Sequence, residues 1–148
     1  MKIKKPNITE LVLRDGQQSL IATRMKIEDM IPALSNLDKV GYSSMEVWGG
    51  ATYDVCLRYL NENPWTRLKI FKKYFKNTKL QMLLRGKNLV GYKSYDDSIL
   101  SLFIKNAAKE GIHIFRIFDA LNDISHIKSS IEFVNREGQN SQGTICYT

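Results

Sequence analysis

The sequence predicts an α/β protein built on a parallel sheet, and two observations lead there. Short apolar runs that stop at glycine or charged turn residues alternate with segments of helical spacing, and the runs recur at a nearly constant interval. With strand starts at Glu10, Ser43, Lys79, Ile112 and Gly143, the intervals are 33, 36, 33 and 31 residues. Strands that alternate with helices pair in parallel, because each helix carries the chain back to the start of the next strand. Ankyrin-type repeats share the period but lack a strand in each unit.

The elements follow in order. Glu10-Leu11-Val12-Leu13 reads as the first strand, closed by Arg14-Asp15-Gly16. Met30, Leu34, Leu37 and Val40 share one helical face before Gly41, with Pro32 expected in the first turn, where a missing N–H is harmless. Ser43 to Trp48 forms the second strand, ended by Gly49-Gly50. The second connection holds two helices, Thr52 to Leu60 and one opened by Asn63 as N-cap with Pro64 at the first helical position. Lys79 to Leu84 and Ile112 to Phe118 are the third and fourth strands. Ile99 to Ala108 and Ile124 to Val134 are helices that stop at Gly111 and Gly138. Thr144 to Tyr147 is expected to be the fifth strand.

Composition bounds the class. At 148 residues, 43% hydrophobic and 25% charged, the chain is expected to be one globular domain. No run approaches the roughly 18 apolar residues of a membrane span, and MKIKKPNITE has no apolar signal segment, so the expected compartment is the cytoplasm. The net charge of +7 peaks at Lys72, Lys73, Lys76 and Lys79. That run lacks interleaved stacking aromatics and any recognition motif, so it reads as a solvated helix face and not as a nucleic-acid site. Cys56 and Cys146 are far apart and have no metal-binding spacing, so both are expected to be inert thiols.

Four βα units and a fifth strand would fit an open doubly wound sheet of this length. They would equally fit the first part of an eight-unit barrel. In both architectures ligands gather at the carboxyl ends of the strands. There the first strand offers Arg14, Asp15, Gln17 and Gln18, and the third offers Arg85. Asp15 is either a turn residue or a ligand for a hard divalent cation. Arg14 and Arg85 either form surface ion pairs or present planar forks to an anion. Glu46 and Asp119 also lie near strand ends, where each either caps a helix or pairs with an arginine. Trp48-Gly49-Gly50-Ala51-Thr52 permits a tight strand-to-helix turn near a ligand but matches no nucleotide-binding pattern. His113 starts a strand and His126 lies in a helix, and neither is placed as a ligand.

Six segments then carry a family likeness: LRDGQQSLIATRM, EVWGGATYD, NPWTRL, QMLLRGKNLVGY, FRIFDALND and QGTICYT, in this order. They resemble the carboxyltransferase domain shared by the oxaloacetate decarboxylase alpha subunit, pyruvate carboxylase and the transcarboxylase pyruvate-binding subunit. NDISHIK and QGTICYT are most similar to the oxaloacetate decarboxylase alpha subunit. The resemblance implies the amino-terminal part of a (β/α)₈ TIM barrel over residues 1–148, with the other barrel half and the biotin-carrying domain absent from this sequence.

The resemblance further implies a divalent metal, zinc, cobalt or manganese, and carboxyl transfer between carboxybiotin and pyruvate or oxaloacetate through the pyruvate enolate. Matched onto the family pattern, Asp15 is a metal ligand, Arg14 and Gln18 contact pyruvate, Arg85 engages substrate and enolate, and Tyr92 lies near the pocket. Gln17 stands where the family usually has histidine. The family's carboxylated lysine, paired histidine ligands and proton-shuttling threonine have no counterpart here. The expected function is therefore that of the front part of a biotin-dependent carboxyltransferase or decarboxylase, inactive alone, working with a biotinyl carrier and the remaining barrel or other carboxylase subunits. The alternative is a non-catalytic remnant or partner domain of a carboxylase assembly. Two unpaired sheet edges would leave the isolated chain marginally stable.

Overall fold

A computed structural model describes residues 6–147; residues 1–5, and the Thr148 that ends the QGTICYT motif, lie outside it. Five parallel strands are hydrogen-bonded in sequential order: β1 (Thr9–Glu10), β2 (Ser44–Trp48), β3 (Lys79–Leu84), β4 (Ile112–Ile117) and β5 (Asn140–Gly143). The helices are α1 (Gln17–Ile21), α2 (Ile27–Lys39), α3 (Gly50–Val55), α4 (Pro64–Tyr74), α5 (Asp97–Lys109) and α6 (Ile124–Arg136).

The strand order decides between the two architectures left open by the period. A doubly wound sheet reverses direction at a switch point, so its order is not sequential. Here each strand adds beside its predecessor without reversal. Crossovers of one hand then put all connecting helices on one face, which is the local pattern of a barrel wall. Met45, Val47, Leu80, Met82, Leu84, Phe115 and Ile117 are almost wholly buried with Leu34, Leu68, Phe71, Leu100 and Ile104 of α2, α4 and α5. Burial of one such side chain contributes about 1.5–3 kcal/mol. Trp48 closes this layer by stacking on Phe103 at 5.8 Å and meeting Trp65 edge-on at 5.1 Å.

The opposite face is polar in its middle. Thr9 Oγ1 meets Ser44 Oγ at 2.7 Å, the Ser44 hydroxyl donates to Gln81 Oε1 at 3.3 Å, and Gln81 Nε2 donates to Glu46 at 2.8 Å. This row crosses β1, β2 and β3 and leads to the carboxyl ends of the strands.

Several expected elements are corrected by local chemistry. The first strand is only Thr9–Glu10, and Val12–Gly16 forms a π-helical turn. The Glu10 carboxylate accepts the N–H groups of Leu11 and Val12 at 2.8 and 2.9 Å, and this local bonding draws the chain out of the ladder. The first long helix begins at Ile27, whose N–H donates to Glu62 at 3.0 Å. Pro32 is therefore its sixth residue and lies inside the helix instead of in its first turn. The segment expected as one helix over Thr52 to Leu60 is α3 followed by a π-helical turn over Cys56–Leu60, which Asn61 ends with φ at +52°. The fifth strand lies at Asn140–Gly143, upstream of the apolar Thr144 to Tyr147, because its register pairs Ile114 with Asn140 and Ile117 with Gly143. The Asn63 cap is as expected, its side chain accepting from the N–H of Trp65 at 2.9 Å.

Candidate functional site

The residues singled out at the first and third strand ends meet at one end of the sheet. The π-helical turn brings Arg14, Asp15 and Gly16 around the Leu11 carbonyl, which accepts their three N–H groups at 2.8–3.1 Å. Such turns recur at functional sites because they redirect side chains that a straight strand would alternate. Arg14 is buried, and its guanidinium is held on two sides. Nε and Nη2 each lie 2.6 Å from Glu46 Oε1, while Nη1 lies 3.0 Å from Asp15 Oδ1 and 3.5 Å from Gln18 Oε1.

Glu46 is the centre of this arrangement, with no exposed surface. Besides Arg14 it accepts from Gln81 Nε2, and from Arg116 Nε and Nη2, each at 2.8 Å. Burial pushes the Glu46 carboxyl up, but the bonds from Arg116 and Gln81 and the charges of Arg14 and Arg116 outweigh it and hold the group below its ordinary value. Of the two roles open to Glu46 in the sequence, pairing with arginine is the one it takes. Arg116 was not anticipated: an arginine within Ile112 to Ile117 reads as the solvent side of an alternating strand. Its role depends on register, since it sits opposite Leu83 and reaches across to β2.

Arg85 projects from the end of β3 and is partly exposed. Its Nη1 donates to the Gly91 carbonyl at 3.1 Å, and its guanidinium carbon lies 5.2 Å from the centre of the Tyr92 ring. Among the described residues no carboxylate is within ion-pair distance of it. Tyr92 is 71% exposed, and its hydroxyl lies 3.5 Å from Asp54.

Beside Arg85 a cavity of about 590 Å³ is lined by Asn88, Phe118, Asp119, Leu121 and His126. Asp119 caps the turn before α6, accepting from the N–H groups of Leu121 and Asp123, and pairs with His126 Nδ1 at 3.1 Å. His126, not placed as a ligand from the sequence, lines this cavity in its pairing with Asp119. His113 instead accepts the Leu80 N–H at 3.3 Å, away from these groups.

Gln17 is buried and donates through Nε2 to the Leu13 carbonyl at 3.3 Å. Cys56 is buried, which pushes its thiol up to about 11, and Cys146 is a free thiol as well. Lys72, Lys73, Lys76 and Lys79 are exposed. No helix among the described residues is long and apolar enough to cross a membrane.

The donor set is insufficient for a metal by itself. Asp15 offers one half-exposed carboxylate, already engaged by Arg14. Among the described residues no group of three His, Cys, Asp or Glu side chains is placed to hold an ion, and a bound metal takes about four donors. What the mouth offers chemically is the Arg85 guanidinium, which has no carboxylate partner among the described residues, and the Gln18 amide, both suited to an oxygen ligand.

No family model matches the chain. It is 57% identical over 141 residues to a pyruvate carboxylase subunit of Methanocaldococcus jannaschii, covering 95% of this chain and 25% of that protein. It is 52% identical over 145 residues to the methylmalonyl-CoA carboxyltransferase 5S subunit of Propionibacterium freudenreichii subsp. shermanii, covering 98% and 29%. The carboxyl transferase domain of Rhizobium etli pyruvate carboxylase, solved with pyruvate, superposes with a TM-score of 0.94 at 41% identity, over 99% of this chain and 25% of that one. The chain thus spans only about a quarter of the length of these relatives. By sequence and by fold it belongs to the biotin-dependent carboxyltransferase family of pyruvate carboxylase and transcarboxylase, as an amino-terminal portion of the carboxyltransferase domain.

Proposed function

We propose that this portion supplies the keto-acid anchor of a biotin-dependent carboxyltransferase or decarboxylase acting on pyruvate and oxaloacetate. The observation that carries the reading is Arg85, a partly exposed guanidinium at a strand end that has no carboxylate partner among the described residues. A substrate carboxylate or an enolate oxygen would complete it. When oxaloacetate loses its carboxyl group, the bonding electron pair stays on the keto acid and charge develops on the enolate oxygen. A fixed cation beside that oxygen lowers the barrier more than it favours the ground state.

The other predicted site residues divide by geometry. Gln18 turns its carbonyl oxygen to Arg14, which leaves its amide N–H groups to donate to a keto oxygen. Arg14 gives most of its donors to Glu46 and Asp15, so its part is to fix Gln18 and Asp15 in place. Tyr92 borders Arg85 and faces solvent, so its ring forms the outer edge of the place proposed for the keto acid. Asp15 contributes one carboxylate toward a divalent metal; the reading rests on the arginines and not on that ion.

Support comes from relatives solved with pyruvate and with oxamate, an amide of the same shape. The Rhizobium etli domain is described with oxamate and biotin, and again with pyruvate and biocytin. Pyruvate or oxaloacetate is accordingly the proposed substrate, and a biotinyl carrier domain the proposed partner. The finer assignment to an oxaloacetate decarboxylase alpha subunit follows the NDISHIK and QGTICYT segments.

Steady-state turnover of oxaloacetate by the enzyme that carries this chain tests the reading. Arg85→Ala is expected to lower kcat/KM by about 100- to 1000-fold and leave measurable residual activity, whereas unchanged turnover would remove Arg85 from the site. A decarboxylase releases the carboxyl group as carbon dioxide; a transferase passes it to a second acceptor, and product analysis separates the two.

A further inference from the structure

Gly50 opens α3 directly after the second strand, and it lies closer to a functional side chain than any other glycine among the described residues. A Cβ placed on it would stand 2.6 Å from Arg85 Cζ and 2.9 Å from both Nε and Nη2. Gly50 does not have the positive φ that would demand glycine for conformational reasons. What the position requires is space, and the space is filled by the guanidinium of Arg85.

We propose that Gly50 is a positioning residue, whose missing side chain lets the Arg85 guanidinium lie against the start of α3 at the height needed to meet the keto acid. The inference rests on the reading of Arg85 as the substrate anchor. Three contacts define the slot: the Gly50 backbone, the Gly91 carbonyl that accepts from Nη1 at 3.1 Å, and the Tyr92 ring at 5.2 Å. The surrounding backbone is fixed independently of Arg85's side chain. The Arg85 N–H donates to the Leu89 carbonyl, and the Asn88 N–H donates back to the Arg85 carbonyl. The Trp48 that precedes the glycines is anchored in the aromatic cluster with Tyr53, Trp65 and Phe103.

An added methyl group therefore meets the far end of a flexible side chain and not the backbone. Arg85 must swing away while the strand and helix stay where they are. That separates Gly50 from an ordinary packing glycine, whose replacement would cost stability first. The neighbouring Gly49 makes the contrast, because a Cβ there would meet Leu83 and Arg14 at ordinary distances of 3.5–3.6 Å.

The test is a double-mutant cycle in the enzyme that carries this chain. Gly50→Ala is expected to leave the thermal unfolding midpoint in place and to lower kcat/KM for oxaloacetate by about 10- to 100-fold, the scale of losing a hydrogen bond to a charged group. In the Arg85→Ala background the same substitution should change nothing further. Full activity of Gly50→Ala would overturn the inference, and so would a loss that persists undiminished when Arg85 is already alanine. If the unaltered enzyme turns over no 2-oxo acid, it is the functional reading that fails. The positioning role is then read from the ¹⁵Nε resonance of Arg85, which Gly50→Ala must shift; an unmoved resonance would sink it.

Discussion

Replacing Glu46 by glutamine removes the one negative charge shared by two arginines. The carboxylate has no exposed surface and accepts from Arg14, Gln81 and Arg116 at 2.6–2.8 Å. Glutamine keeps the volume but offers one accepting oxygen and turns an N–H₂ group toward guanidinium donors. The Arg14 side chain is 7% exposed, so its charge would be left buried with only the half-exposed Asp15 carboxylate opposite it, at a cost of about 3 kcal/mol. Arg116, 30% exposed, is screened by water and adds at most about 1 kcal/mol. Against a total stability of about 5–15 kcal/mol for a domain, that is a large fraction. In urea, with a slope of about 2 kcal/mol/M, the midpoint should fall by about 1.5 M with the slope unchanged. A fall below about 0.5 M would refute the view that this carboxylate holds the mouth together. The sign with pH follows from the lowered Glu46 pKa: its stabilisation is complete above the ordinary glutamate value and disappears as pH drops through the lower folded-state value. Glu46→Gln should flatten that part of the acid-unfolding profile.

Asp38→Ala removes a buried carboxylate that accepts the N–H groups of Lys76, Asn77 and Thr78 at 2.9–3.0 Å, and a loss of about 2 kcal/mol in denaturant unfolding is expected. Burial raises the Asp38 pKa and these three bonds lower it further than burial raises it, so its contribution too is lost only as pH falls below the ordinary aspartate range. Asn63→Ala removes the cap on the Trp65 and Thr66 N–H groups and should cost about 1 kcal/mol, visible as a lower thermal midpoint with unchanged strand signals.

The elements that were legible in the sequence are those whose signals are local. Lys79 to Leu84 is a strand with the bounds its apolar run suggests, and Asn63-Pro64 opens a helix because the side-chain oxygen and the proline ring act within one turn. The elements misplaced are those decided by distant or competing partners. Leu11-Val12-Leu13 has strand composition, yet the neighbouring Glu10 carboxylate takes two of the N–H groups a strand would use. Asn140–Gly143 has no apolar signal at all and is a strand because β4 offers it a ladder, while the apolar Thr144 to Tyr147 runs past the pairing.

The candidate site divides along the same line. Arg14, Asp15 and Arg85 could be picked out because each follows an apolar run at the end where parallel sheets gather ligands, whereas Gln18 and Tyr92 received a role only through the family resemblance. Arg116 could not, since its partner Glu46 lies on another strand and only the register of β2, β3 and β4 brings them together. That pairing changes what the mouth can do. Arg14, Arg116 and Arg85 stand against Glu46 and Asp15, and Asp119 across the cavity is paired with His126. Glu46 engages both arginines beside it, and Asp15 is tied to Arg14. The uncompensated charge therefore resides on Arg85, the guanidinium on the solvent side with the glycine slot behind it. Because that fork is planar, one nitrogen can hold the Gly91 carbonyl while others keep donors for a ligand, which a lysine's single ammonium could not do with the same fixed orientation.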